Sequence, residues 1–157
     1  MSLESVFRFG GYRICQIRFM ENTKFSSQEK GIKIDIKFKV ITVLKDKGRV
    51  LLTIKVELFK NSEVNNYPFE LSFFLVGEFD TDETDEKKIE EFLKYNGTAI
   101  LFPYVRSTIS SLTTLTGQPH LLLPTYNIRN LLADEDIMMY ISNEELEQMF
   151  KDEDEEI

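Results

Sequence analysis

The chain contains no tryptophan and only one cysteine, Cys15, so no internal disulfide can hold it together and its cohesion must come from packing. One thiol in a chain this short fits a reducing compartment, and a cytoplasmic location is expected. His120 is the only histidine. A metal centre would have to be built from it and carboxylates, and no pair of ligand residues stands at metal-binding spacing, so no metal is expected. Glycine is also scarce: Gly10-Gly11 and the scattered others match neither nucleotide fingerprint, and no cofactor is implied. No stretch approaches the roughly 18 apolar residues needed to cross a bilayer. Met1 to Gly11 lacks a basic segment followed by an apolar signal core, so no membrane insertion is expected. Positive charge is the minority sign, with 19 basic against 27 acidic side chains and a net charge of −8. General attraction to nucleic acid is thereby disfavoured. Cys15 has no basic neighbourhood of the kind that activates a thiol, and Asp134, Glu135 and Asp136 read as a solvated face. With no catalytic constellation, the chain is not expected to be an enzyme.

What is present is a 157-residue chain with 42% apolar residues, enough for one packed domain, and phenylalanine, at 13 residues, supplies much of the contact surface. From Ile32 to Val40, Ile32, Ile34, Ile36, Phe38 and Val40 alternate with Lys33, Asp35, Lys37 and Lys39, the period of a strand with one solvated face. Lys45-Asp46-Lys47-Gly48 then reads as a hairpin turn into a second alternating strand, Arg49 to Lys60. Tyr67 to Phe79 is apolar on both faces, which calls for a strand covered on both sides. Tyr12 to Met20 is a fourth strand, rich in β-formers but imperfectly alternating.

Helical spacing takes over after Thr81. Ile89, Phe92 and Leu93 form an amphipathic helix that Asn96-Gly97 is expected to end. A second helix is expected to begin at Pro103, carry Tyr104, Val105, Ile109, Leu112 and Leu115 as its apolar stripe, and close at Gly117. Its many Ser and Thr residues have weak helix propensity, so a tertiary or subunit contact along the stripe is needed, and small hydroxyl residues let another helix come close. Pro119 and Pro124 make Gln118 to Tyr126 an extended crossover carrying Leu121, Leu122 and Leu123. A final helical region, Asn127 to Phe150, is expected to break near Ser142, where Ser142 and Glu145 have capping-box spacing. The domain is thus expected over residues 1–151, with a disordered acidic tail at 152–157.

Ile100-Leu101-Phe102-Pro103-Tyr104-Val105-Arg106, followed by Gly117, Pro119, Leu121, Leu123 and Asn127, resembles the signature region of the SecB export chaperones. That resemblance rests on residues 100 to 132 and implies an α+β subunit: a four-stranded antiparallel sheet with a long helix and a C-terminal helix packed on it. It further implies a homotetramer, a dimer of dimers in which the long helix takes part in subunit contacts, and a cofactor-free holdase that keeps unfolded precursor polypeptides in apolar grooves. Such proteins hand their clients to the translocation ATPase SecA, which docks on acidic positions of the sheet surface. Here Ile17-Arg18-Phe19-Met20 has only Glu21 as a nearby acid, the crossover proline is Pro124, and Arg129 stands where the family commonly has an acid. SecB-like proteins attached to toxin-antitoxin systems, whose client is an antitoxin, fit the same pattern.

The candidate client-binding residues are Phe102, Tyr104, Leu121, Leu122, Leu123, Tyr126, Phe38, Phe59 and Phe74. All but Tyr126 have a plainer assignment. Phe102 and Tyr104 read equally well as helix-start packing, the three leucines as a subunit interface, and Phe38, Phe59 and Phe74 as ordinary core. Tyr104, Ile109, Leu112 and Leu115 are the candidate oligomer interface. A different class of function, a binding module whose Lys33 to Lys39 strand meets an anionic partner, has the net charge against it.

Overall fold

A computed structural model describes residues 6–27, 31–44, 48–133, 138–140 and 143–155. Four long strands, β1 (Phe7–Glu21), β2 (Ile36–Leu44), β3 (Arg49–Leu58) and β4 (Phe69–Thr81), form an antiparallel sheet in the order β1-β4-β3-β2. A short helix, α1 (Ser62–Asn65), turns β3 into β4, and its cap positions Asn61 and Asn66 both take positive φ. Asparagine tolerates that conformation better than most residues. A fifth strand, β5 (Met138–Tyr140), pairs parallel to β2 over Val40 to Thr42, within the stretch where the sequence predicts helix. Most of the expected hairpin turn lies outside the described residues, but Gly48 takes φ 76°.

Strand alternation sorts the sheet into two faces. On the inner face Val50, Leu52, Ile54, Val56 and Leu58 of β3 join Phe69, Leu71, Phe73, Leu75 and Phe79 of β4 in the main core. On the outer face Ile41, Leu51 and Val76 form a smaller cluster. The two-sided apolarity of β4 therefore has its expected cause: both faces are covered.

The inner cover is one long helical run. α2 (Glu86–Phe92) starts at Asp85, whose side chain accepts a hydrogen bond from the Lys87 backbone N–H. It passes through a π-helical turn, Leu93–Gly97, directly into α3 (Thr98–Leu115). Gly97 does not end a helix: its φ of −60° is ordinary helix, and a side chain there would meet Leu52 of the sheet at 3.0 Å. Nor does Pro103 begin one; it lies inside α3, where the ring removes a single intrahelical bond. At Gly77 of β4, a Cβ would stand 2.6 Å from the Leu101 methyls, so the two glycines set how closely α3 rests on the sheet.

After the crossover come α4 (Ile128–Leu132), capped by the Asn127 side chain, then β5, and α5 (Asn143–Glu155), which covers the outer face. The expected helical region from Asn127 to Phe150 is thus interrupted by β5. α5 also runs through Asp152 to Glu155, so the acidic segment expected to be disordered is helical to that point, and Glu153 pairs with Lys55. Ser142 and residues 134–136 lie outside the described residues. No described helix is long and apolar enough to cross a membrane.

Candidate functional site

The crossover at 118–127 has no regular secondary structure and runs back along α3. Extended segments with proline leave carbonyls that need donors. Arg106 of α3 supplies them: its Nε and an Nη both donate to the Leu123 carbonyl, at 3.0 and 2.9 Å. Higher on α3, the Thr113 hydroxyl accepts the Leu121 backbone N–H at 3.1 Å, and Ser110 is hydrogen-bonded to His120. Four polar side chains thus pin an apolar loop. Sequence reasoning missed all four, although an arginine within the apolar stripe of a helix facing a proline-rich loop was a signal for them.

Pinning divides the three leucines. Leu123 is fully buried in the main core, Leu121 is half-buried, and Leu122 is 61% exposed. Under the crossover, Phe38 of β2, Phe102 of α3 and Tyr126 meet edge to face. Ring centroids are 5.2 Å apart for Phe38 and Phe102, 5.8 Å for Phe38 and Tyr126, and 5.6 Å for Phe102 and Tyr126. Phe102 is buried, whereas Phe38 and Tyr126 keep part of their rings at the surface, and burial pushes the Tyr126 phenol up from its ordinary pKa. Phe38 lies on β2 just before the stretch that pairs with β5, which runs from Val40 to Thr42, and no described strand pairs with the edge from Ile36 to Lys39.

The remaining candidates are dispersed. Phe59 is buried at the far end of β3 against Tyr67 and Phe69, and Phe74 is on the outer face against Phe150 of α5. Neither shares a surface with the crossover, because Phe74 points through the opposite side of the sheet. Ile109 is fully buried in the core and has no surface to offer a partner. Tyr104 is half-buried and stacks on Tyr12 of β1 at 4.2 Å, and Leu115 is 81% exposed. Ile100, Tyr104, Ser107, Ser111 and Leu115 recur at helical spacing as the outward stripe of α3, next to exposed Phe9 and Tyr12. Leu112 is half-buried at the rim of the core.

Cys15 is partly buried beside the outer cluster, and burial raises its thiol pKa despite the nearby Arg13, which disfavours a nucleophilic thiolate. Among the described residues, no group of three His, Cys, Asp or Glu side chains is placed to hold a metal.

Residues 19–137, which include most of this sheet, the long helix and the crossover, fit the family model of the preprotein translocase subunit SecB. The chain belongs to the SecB family. Among SecB-like structures, it is similar to the SecB-like chaperone Rv1957 of Mycobacterium tuberculosis, solved in complex with a ChAD peptide from the Rv1956 HigA1 antitoxin. That match has a TM-score of 0.62 and 15% identity and covers 77% of this chain and 88% of the other, a likeness of fold. In sequence it is 27% identical over 128 residues to the uncharacterised protein MJ0357 of Methanocaldococcus jannaschii, covering 81% of this chain and 83% of that protein. The family match extends beyond the signature segment into the strands, where sequence alone offered only a pattern.

Proposed function

We propose that this SecB-family chain is a holdase that binds unfolded polypeptide segments at the crossover, acting in the cytoplasm as a homotetramer. The observation that carries the reading is the partly open aromatic trio of Phe38, Phe102 and Tyr126, set between exposed Leu122 and the part of the β2 edge that no described strand pairs. An extended client adds backbone hydrogen bonds to that edge, and its alternate side chains reach the rings and leucines. Binding of this kind lowers the free concentration of aggregation-prone species by mass action and needs no turnover. The antitoxin peptide held by Rv1957 supports a polypeptide as the ligand class.

Assembly is assigned to the outward stripe of α3, where Ile100, Tyr104 and Leu115 with Phe9 and Tyr12 of β1 form an apolar band and Ser107 and Ser111 allow close helix approach. Between the two uses of such a holdase, service to an antitoxin is favoured over export through SecA. The outer sheet face that would meet SecA carries Arg18, Lys37 and Lys39 in place of a run of acids.

The test is an aggregation assay with a slow-folding protein diluted from denaturant, run beside light scattering. Suppression at near-stoichiometric amounts by a tetramer is the expected result. A monomer without effect on aggregation removes the holdase reading and leaves the fold.

A further inference from the structure

The charge of this chain is segregated. Residues 143–157 hold eight acids and one lysine, so −7 of the net −8 belongs to this segment and the remainder of the chain is close to neutral. α5 carries most of that segment and rests on the outer face through Met149 and Phe150, which pack against Ile41, Leu51 and Val76. Beside this apolar seat the face turns basic: Arg18 of β1, Lys37 and Lys39 of β2, Lys55 of β3, and Lys60 just beyond it line two adjoining depressions of about 190 and 260 Å³. Lys55 lies in both, and α5 engages it through Glu153.

The fit is incomplete. Glu57 pairs with Lys55 at 3.0 Å and with Lys60 at 3.3 Å, but among the described residues Arg18, Lys37 and Lys39 make no ion pair. α5 therefore shows within the molecule that the face accepts a carboxylate-bearing segment, while leaving three cations unmatched.

We propose that this basic half of the outer sheet face is a docking surface for an acidic polypeptide segment of a partner protein, lying alongside α5 across Lys37, Lys39 and Arg18. A second copy's α5 is not free to take this place, since Met149 and Phe150 hold it on that copy's own outer face. Nucleic acid is disfavoured because Glu57 and Glu70 stand among the bases: they repel a continuous row of phosphates, but a peptide can space its carboxylates between them. The surface lies on the opposite side of the sheet from the crossover, so it is independent of the holdase reading and can be occupied while a client is held.

The probe is a fluorescein-labelled peptide copying residues 143–157 with Met149→Ser and Phe150→Ser, which keeps the carboxylates but cannot take α5's seat. Titrated with the full chain and followed by fluorescence anisotropy, it is expected to bind saturably and to weaken with added salt. Lys37→Glu with Lys39→Glu is expected to lower its affinity about tenfold, and the exposed-site change Lys37→Gln about twofold, with thermal melting of the single variant unchanged. No binding at sub-millimolar concentration, equal binding by the charge-reversed protein, or tighter binding of a single-stranded oligonucleotide of the same length would each overturn the proposal. An aggregation assay on Arg18→Glu keeps the two readings apart: Arg18 lies on β1, away from the crossover and from the β2 edge, so its probe affinity is expected to fall while its holdase action persists.

Discussion

Lys55 and Glu57 stand two residues apart on β3, so the pleat sends both to the outer face, where each is mostly covered. For Glu57, burial works against the charge, but Lys55 and Lys60 outweigh it and hold the carboxyl below its usual value of 4.5. For Lys55, burial again opposes the charge, and Glu153 and Glu57 together lift the ammonium above 10.5. The signs define a window. The Glu57 contribution is fully present above pH 4.5 and is lost as pH falls through its lowered folded value. The Lys55 contribution is present below 10.5 and is lost as pH rises past its folded value. The groups around the pair are Lys60, Glu153 of α5, Arg18 of β1, Glu70 of β4 and Lys37 and Lys39 of β2, a mostly cationic ring that favours an ionised Glu57. Glu57→Gln is therefore expected to lower the melting temperature at neutral pH and to converge with the parent chain as pH drops well below 4.5. Melting curves recorded at intervals through the acid range check this; a constant gap at every pH would show that Glu57 acts by packing alone.

At the scale of elements, the crossover separates what periodicity can reveal from what it cannot. Two prolines exclude a helix, and that reading of Gln118 to Tyr126 holds. Which leucine faces inward depends on Arg106 and Thr113, residues of another element, and no local pattern encodes it. The long helix teaches the same lesson. Its apolar residues were legible, yet Gly97 and Pro103 read as an end and a start because their usual roles are terminal. Here Gly97 serves close approach to Leu52, and Pro103 is tolerated within a run that packing on the sheet sustains. β5 escaped notice because a three-residue strand is defined by its pairing to β2. Unequal leucines make a sharp prediction. Leu123→Ser removes a fully buried side chain and is expected to cost about 2–5 kcal/mol of stability, read by urea unfolding. Leu122→Ser, at an exposed position, is expected to leave stability within about 0.5 kcal/mol and to weaken client binding severalfold. If the Leu122 variant suppresses aggregation as well as the parent chain, the crossover is not the client surface.

For the whole molecule, the two proposed binding surfaces fall on opposite sides of the sheet, the crossover and aromatic trio on the inner side and the basic patch beside α5 on the outer side. A third surface, the outward stripe of α3 with the neighbouring part of β1, is the one proposed for assembly. Family resemblance supplied the idea of a helix-mediated tetramer, and the chosen residues fare unequally: Ile109 is core, while Tyr104 and Leu115 are available. Phe9, Tyr12 and Ile100 extend that band, and their exposure was not legible, because an edge strand and a half-covered helix have the same apolar content as buried ones. An isolated subunit would leave these rings in water, and such contiguous apolar patches mark contacts. Tyr104→Asp puts a charge at the centre of the band, where a helix pairing with its copy would have to bury two carboxylates close together. The variant is expected to fall apart into smaller species in light scattering at micromolar concentration, while its far-ultraviolet circular dichroism stays that of the folded chain, because Tyr104 lies at the rim of the core rather than within it. A folded Tyr104→Asp protein that keeps the parent's mass would move the subunit contact off this face of α3.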